Sequence, residues 1–486
     1  MTIQAKSVAL SGGSSLLSQT FGSGDGGRMS IAAKSLSLKE ASIIDSSTLG
    51  TGRGGDIVAR VQQASLSGGA TITSHTVSSD PDAGAGGTVT VQGLEGPGSK
   101  ASSVVLSGEN TGIVSDSASG VPGDLTVDAG TLTVTNGAVL AAGSSQSTGP
   151  AGKVTVTADS VVISANGQIL SRSSAQDAGQ VTITANALTL DNGSIEASTS
   201  SESGGRGGDV VLHGGTVSLT NGARIKSQSG SEAGRFSTGR AGDITITGES
   251  LTLANHAEIT SSSLGTVADA GDAGTITIQS GTTVVLNNSS ITTEAIEASG
   301  AQITITAPEM VRLTNSLIGT SVAGSDVDTT GGNITIDPQF VILQNSLIIA
   351  QAFAGSGGTV SITAGVFLAD PNSVVDASSQ LGLLGTVNNV GGQLTPLSQQ
   401  FSSADALLFT QRCAADPSGQ FSSFVVIGRD GVPQVPGALS PSPLSFLETL
   451  TSGSLGSQSP NLAATRLGLD SVRVDDSTRF YSACGS

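Results

Sequence analysis

One feature of this sequence rules out most folds: a short glycine-centred block that returns every 26 to 36 residues. It reads Gly55-Asp56-Ile57, Gly87-Thr88-Val89, Gly152-Lys153-Val154, Gly179-Gln180-Val181, Gly208-Asp209-Val210, Gly242-Asp243-Ile244, Gly274-Thr275-Ile276, Gly332-Asn333-Ile334 and Gly358-Thr359-Val360. A period in this range marks a solenoid, in which each unit buries its apolar side only against its neighbours.

A second landmark fixes the register. Asn136, Asn166, Asn192, Asn221, Asn255, Asn288, Asn315 and Asn345 each follow a glycine landmark, or Ala301 in its place, by 13 or 14 residues. The distance onward to the next landmark varies instead, from 13 residues after Asn166 to 21 after Asn221. That asymmetry assigns the insertions to one corner of the unit. At a turn repeated in every layer, asparagine tolerates left-handed backbone geometry, and its amide can bond to the asparagines above and below. The eight asparagines therefore read as a structural ladder rather than a ligand site, with Gly137, Gly167, Gly193 and Gly222 suiting the same bend.

Within the constant portion three short strands are expected. In the unit opening at Gly242 they are Ile244-Thr245-Ile246, Leu251-Thr252-Leu253 and Glu258-Ile259-Thr260. Alternation turns Ile244, Ile246, Leu251, Leu253 and Ile259 inward and Thr245 and Thr252 outward. The fold class is thus all-β: a right-handed parallel β-helix of roughly 30-residue coils. It is assigned to residues 1–387, and about a dozen coils give a rod on the order of 60 Å long. The period fails near Val387. From 388 to 486 prolines and phenylalanines accumulate, from Pro396 and Phe401 to Pro443 and Phe480, and this region reads as a separate cap or tail. Residues 451–462, rich in Ser and Gly, read as linker.

Composition narrows the function. With 67 glycines, 2% aromatics, no tryptophan and yet 37% hydrophobic residues, the chain suits a narrow layered core of aliphatics. A formal charge of -18 with only 12% charged residues excludes a nucleic-acid partner, which needs clustered Lys and Arg. No apolar run reaches the roughly 18 residues of a transmembrane helix. Residues 1–10 show neither a basic n-region nor an unbroken apolar stretch, while Ile3 and Val8 to Leu10 already have a strand pattern. The chain is therefore expected to be a fragment whose N-terminal part, export signal included, lies elsewhere. Cys413 and Cys484 are the only cysteines, free to form one bridge in an oxidising compartment.

Catalysis is not expected. A β-helix polysaccharide-active enzyme, the competing class, needs paired carboxylates and aromatic platforms for sugar rings. Asp56, Asp209 and Asp243 recur at the turn before a strand, where fixing the corner is the simpler role. The equivalent positions of neighbouring units carry Thr, Gln or Lys. His75, His213 and His256 occupy different places in their repeats, so no zinc site is expected. Gly24-Asp25-Gly26-Gly27 approaches a calcium-binding nonapeptide but does not iterate. No cofactor is implied. A third class, ice binding, is suggested by Thr-x-Thr pairs at Thr88 and Thr90, Thr155 and Thr157, Thr182 and Thr184, Thr245 and Thr247, and Thr275 and Thr277. Threonine is also simply a good exposed strand former.

The later repeats carry a family likeness. They read Gly331-Gly332-Asn333-Ile334-Thr335-Ile336-Asp337-Pro338, then Phe340-Val341-Ile342-Leu343, then Val375-Asp376-Ala377-Ser378-Ser379 with Gly385-Thr386-Val387. Arg412-Cys413-Ala414, Ser422-Ser423-Phe424-Val425-Val426 and Gly428-Arg429 continue the likeness. This last third of the chain resembles the filamentous haemagglutinin-like exoproteins of two-partner secretion. Asp430 departs from the pattern where a glycine belongs, and Gln434-Val435 interrupts a proline cluster. The N-terminal secretion domain that such proteins present to an outer-membrane pore partner is expected to lie outside this chain.

The resemblance implies export to the surface or medium of a Gram-negative-type bacterium and a role in adhesion, aggregation or biofilm. The partner would be a glycan or protein on a host or neighbouring cell. Loops at 230–239 and 261–273 are the expected recognition surface, since recognition on a rigid scaffold is usually loop-borne.

Overall fold

A computed structural model describes residues 1–396 apart from 79, 81–82, 144–148, 202–203, 232–236 and 391–394. Cys413, Cys484 and the expected cap or tail beyond Pro396 lie outside the described residues. Among those described there is no helix, and every strand pairing is parallel. The strands form one sheet of 17 and another of 13, stacked as coils of about 29 residues. The first sheet is built of long strands such as Val154–Ser164, Val181–Asp191 and Ile244–Ala254. The second is built of short ones such as Gln168–Ser173, Arg224–Ser229 and Glu258–Ser263.

The stacking register follows from the alternating pattern. Val154, Thr155 and Val156 lie on Val181, Thr182 and Ile183, so aliphatic meets aliphatic and threonine meets threonine from rung to rung. A slip of one residue would turn every core side chain to solvent, which pins this register firmly. Ile244, Ile246, Leu251, Leu253 and Ile259 are all buried. Their equivalents in the coils between the first and the last merge into one continuous apolar core.

Most coils have two strands rather than the three expected. Ile244 to Leu253 belong to one strand, Ile244–Ala254. Its inward phase nevertheless changes midway, because Ile246 and Leu251 both point inward although five residues apart. The chain turns a corner there without losing its backbone ladder, since the rungs above and below bend at the same place and stay within hydrogen-bonding reach.

That corner also holds an insertion. In one coil the long strand is split into Val89–Gln92 and Ala101–Ser107, and residues 93–100 make an excursion between them. Insertions are therefore not confined to a single corner. At the far end Thr386–Val390 pairs with Thr359–Thr363, carrying the coil pattern through the 387/388 boundary.

Candidate binding surface at the loop corner

Each short strand is followed by a loop that leads to the next long strand, at 174–180, 200–209, 230–243, 264–275 and 296–301, for example. The base of this corner is the most tightly determined part of the coil. Each landmark glycine passes directly over the carbonyl of the landmark beneath it. A Cβ on Gly179, Gly208, Gly242 or Gly274 would overlap the oxygen of Gly152, Gly179, Gly208 or Gly242 respectively. At these four positions glycine is required because no side chain fits, whereas Ala301 takes the equivalent place in one coil.

In several coils a buried serine completes the base. Ser171, Ser227 and Ser261 each donate through Oγ to the carbonyl of Gly152, Gly208 and Gly242, at 2.8, 2.9 and 2.9 Å. The same Oγ atoms accept from the N–H of Gly179, Gly242 and Gly274, at 2.9, 2.9 and 3.0 Å. One hydroxyl thus satisfies two buried backbone groups and ties the end of the short strand to the opening of the next coil. Reading the sequence for aliphatic periodicity missed these serines. A signal exists, since each lies 19 residues after its landmark glycine.

The acids at this corner act as caps between rungs. Asp56, Asp209 and Asp243 accept, through Oδ1, the backbone N–H of Thr88, Asp243 and Thr275. Asn333 does the same for Thr359. Arg53 and Arg240 pair with Asp56 and Asp243 along the same turn.

The eight asparagines occupy the opposite corner, between long and short strand. All have positive φ, from 47° at Asn345 to 63° at Asn166. Asn192, Asn255 and Asn345 donate through Nδ2 to the Oδ1 of Asn166, Asn221 and Asn315, at 3.3, 3.1 and 2.8 Å. Asn136, Asn221 and Asn288 bond instead to Ser107, Asp191 and the His256 ring. Where serine follows asparagine, a second chain of bonds appears: the N–H groups of Ser289, Ser316 and Ser346 donate to the Oγ of Ser316, Ser346 and Ser373.

The expected recognition loops need one adjustment. Ser261, Ser262 and Ser263 belong to the strand Glu258–Ser263 and are buried, so the second loop begins at Leu264. Of the first loop, 232–236 lie outside the described residues.

The threonine pairs do not align as a two-wide array. Thr90, Thr126, Thr155 and Thr182 form one column, with Val211 next, and the column resumes at Thr245 and Thr277. The adjacent column runs from Thr157 and Thr184 through His213 to Thr247 and Gln279.

Among the described residues, three carboxyl groups titrate away from their ordinary range. Glu294 is raised, first by desolvation and then by the charge of Glu258. Asp370 is lowered, chiefly by the hydrogen bond from Ser373. Desolvation opposes ionisation of Asp376, but hydrogen bonds from Ser378 and Gln351 outweigh it and leave its pKa lowered. None of the three adjoins the loops at 200–209 or 230–243. No protein-family model, curated protein or solved structure matches this chain.

Proposed function

We propose that this chain is the shaft of an adhesin-like exoprotein of the filamentous haemagglutinin type. In this reading the full-length protein is carried by two-partner secretion through an outer-membrane pore partner to the surface or medium of a Gram-negative-type bacterium. It binds a glycan or protein of a host or neighbouring cell and does no catalysis. The observation that supports this reading most is the contrast within one corner. Loops of changing length and sequence stand on a base where the landmark glycine recurs in nearly every coil, tied in several coils by a buried serine. Variable loops on a rigid repeated frame suit recognition. The parallel solenoid also agrees with the fold that the family resemblance implies.

Replacing 200–206, 230–239 and 264–273 by Gly-Ser segments of the same lengths tests the reading. The circular dichroism of the rod should stay unchanged while binding to target cells falls at least about tenfold, as expected when a few residues carry most of the binding energy. Adhesion equal to that of the unaltered chain would rule out a loop-borne site.

A further inference from the structure

The short-strand sheet has an outward face over which no described strand packs. Thirteen strands at about 4.8 Å, nine of them six residues long and the others three or four, at about 3.3 Å per residue, give it roughly 1,000 Å². Stable dimers bury about 800 Å² on each partner. Even its outward Ala141, Leu170 and Thr292 are largely buried.

Charge on this face alternates about its middle. Glu196 and Lys226 are in register on adjacent central rungs. Arg172 on the rung before them pairs with Glu196, and Arg224 pairs with Glu258 on the rung after, at 3.1 Å. Apolar residues flank this centre on both sides. Toward the start of the chain lie Ile43 and Val114; toward the end lie Leu317 and Val374, with Ile43 and Val374 37% and 46% exposed.

We propose that this face is the interface between two copies of the chain, laid face to face with their long axes reversed. The two-fold axis runs parallel to the strands and between Ser194–Thr199 and Arg224–Ser229. Such an axis keeps each outward column opposite itself and reverses the order of the rungs. Glu196 of each copy then faces Lys226 of the other. Val114 meets Gly319 and Leu317 meets Gly112, so in both places a branched side chain enters the space left by a glycine. Ile43 meets Val374. Asp45 and Asp376 also come opposite, each already holding hydrogen bonds within its own chain, from Gln19 and Ser47 and from Gln351 and Ser378. Sheets packed in this way lie about 10 Å apart.

Sedimentation velocity on the full chain tests the interface. The unaltered chain should be dimeric at micromolar concentration. Lys226→Glu alone sets two carboxylates against each other, and Glu196→Lys alone sets two ammonium groups against each other. Each reversal should raise the dissociation constant at least about tenfold with unchanged circular dichroism. Mixed in equal amounts, the two variants should dimerise again, because a mixed pair restores opposite charges at both crossings. Leu317→Glu, remote from the ion pair, should also give monomers, so the test survives a misfolded Glu196→Lys. A monomeric unaltered chain, single reversals that leave the dimer intact, or a mixture that stays monomeric would each overturn the proposal.

Discussion

Ser227 shows how much one hydroxyl can hold in this fold. Its Oγ donates to Gly208 and accepts from Gly242 in a fully buried position. Ser227→Ala leaves a carbonyl and an N–H without that partner, where water has little access. The cost should be about 1–3 kcal/mol, the range for an unsatisfied buried polar group, read as a lower urea midpoint at unchanged slope. An outward, half-buried serine such as Ser194 should show almost none of this. Asp376 makes a second case, with its sign set by linkage. Its folded pKa lies below the ordinary carboxylate value of about 3.9, so the unfolded chain takes up the proton first. The stabilisation is therefore complete above that ordinary value and is lost as pH falls through the lowered one. Asp376→Asn should reduce the melting temperature at pH 7, and the gap from the unaltered chain should close below about pH 4. A gap that stays constant with pH would show that the charge is not responsible.

At the level of elements, side-chain alternation announces which residues face inward but not where a backbone ladder ends. Ile246 and Leu251 both read as core in the sequence, and both are buried. Their odd spacing reveals a corner. Whether hydrogen bonding stops there depends on the rungs above and below bending in step, which no single coil encodes. The serines escaped notice for a related reason: apolar periodicity treats serine as surface, whereas here its hydroxyl is spent entirely on the corner's own backbone. The excursion at 93–100 was hidden because glycine spacing measures only the total length of a coil. Its structural role can be tested directly. Ala101 is in register with Ala129, and Ser103 with both Gln63 and Thr131. Deleting 93–100 therefore joins Gln92 to Ala101 at the spacing by which Arg60 reaches Val61 in the neighbouring coil. The shortened chain should fold with the same circular dichroism, losing only the exposed Lys100–Asp159 ion pair, worth about 0–1 kcal/mol. A chain unable to fold would mean that the excursion supports the corner rather than decorating it.

Across the whole solenoid, each rung packs almost entirely on its two neighbours, so stability is close to a sum of coil and interface contributions. The long-strand sheet runs from Leu125–Thr135 through Val154–Ser164 to Val181–Asp191, and the same core column continues through all three. The short-strand sheet follows the same order, from Val139–Ala142 through Gln168–Ser173 to Ser194–Thr199. Removing 152–178 excises one long strand, one short strand and one loop together. It brings Val181 onto Leu125 and Ser194 onto Val139, aliphatic on aliphatic in the first sheet. The glycine column also closes, with Gly179 taking the place of Gly152 above Gly123. This chain should fold, with unchanged ellipticity per residue and a melting temperature lower by about 5 °C or less. Removing only 152–164 takes the long strand and leaves the short one, so the apolar side of Gln168–Ser173 loses the face it packs against. That chain should lose its sheet signal in the affected coils and expose apolar surface to a dye such as ANS. Equal behaviour of the two deletions would mean that the coil is not the unit of stability, because only a full period returns every column to its own kind.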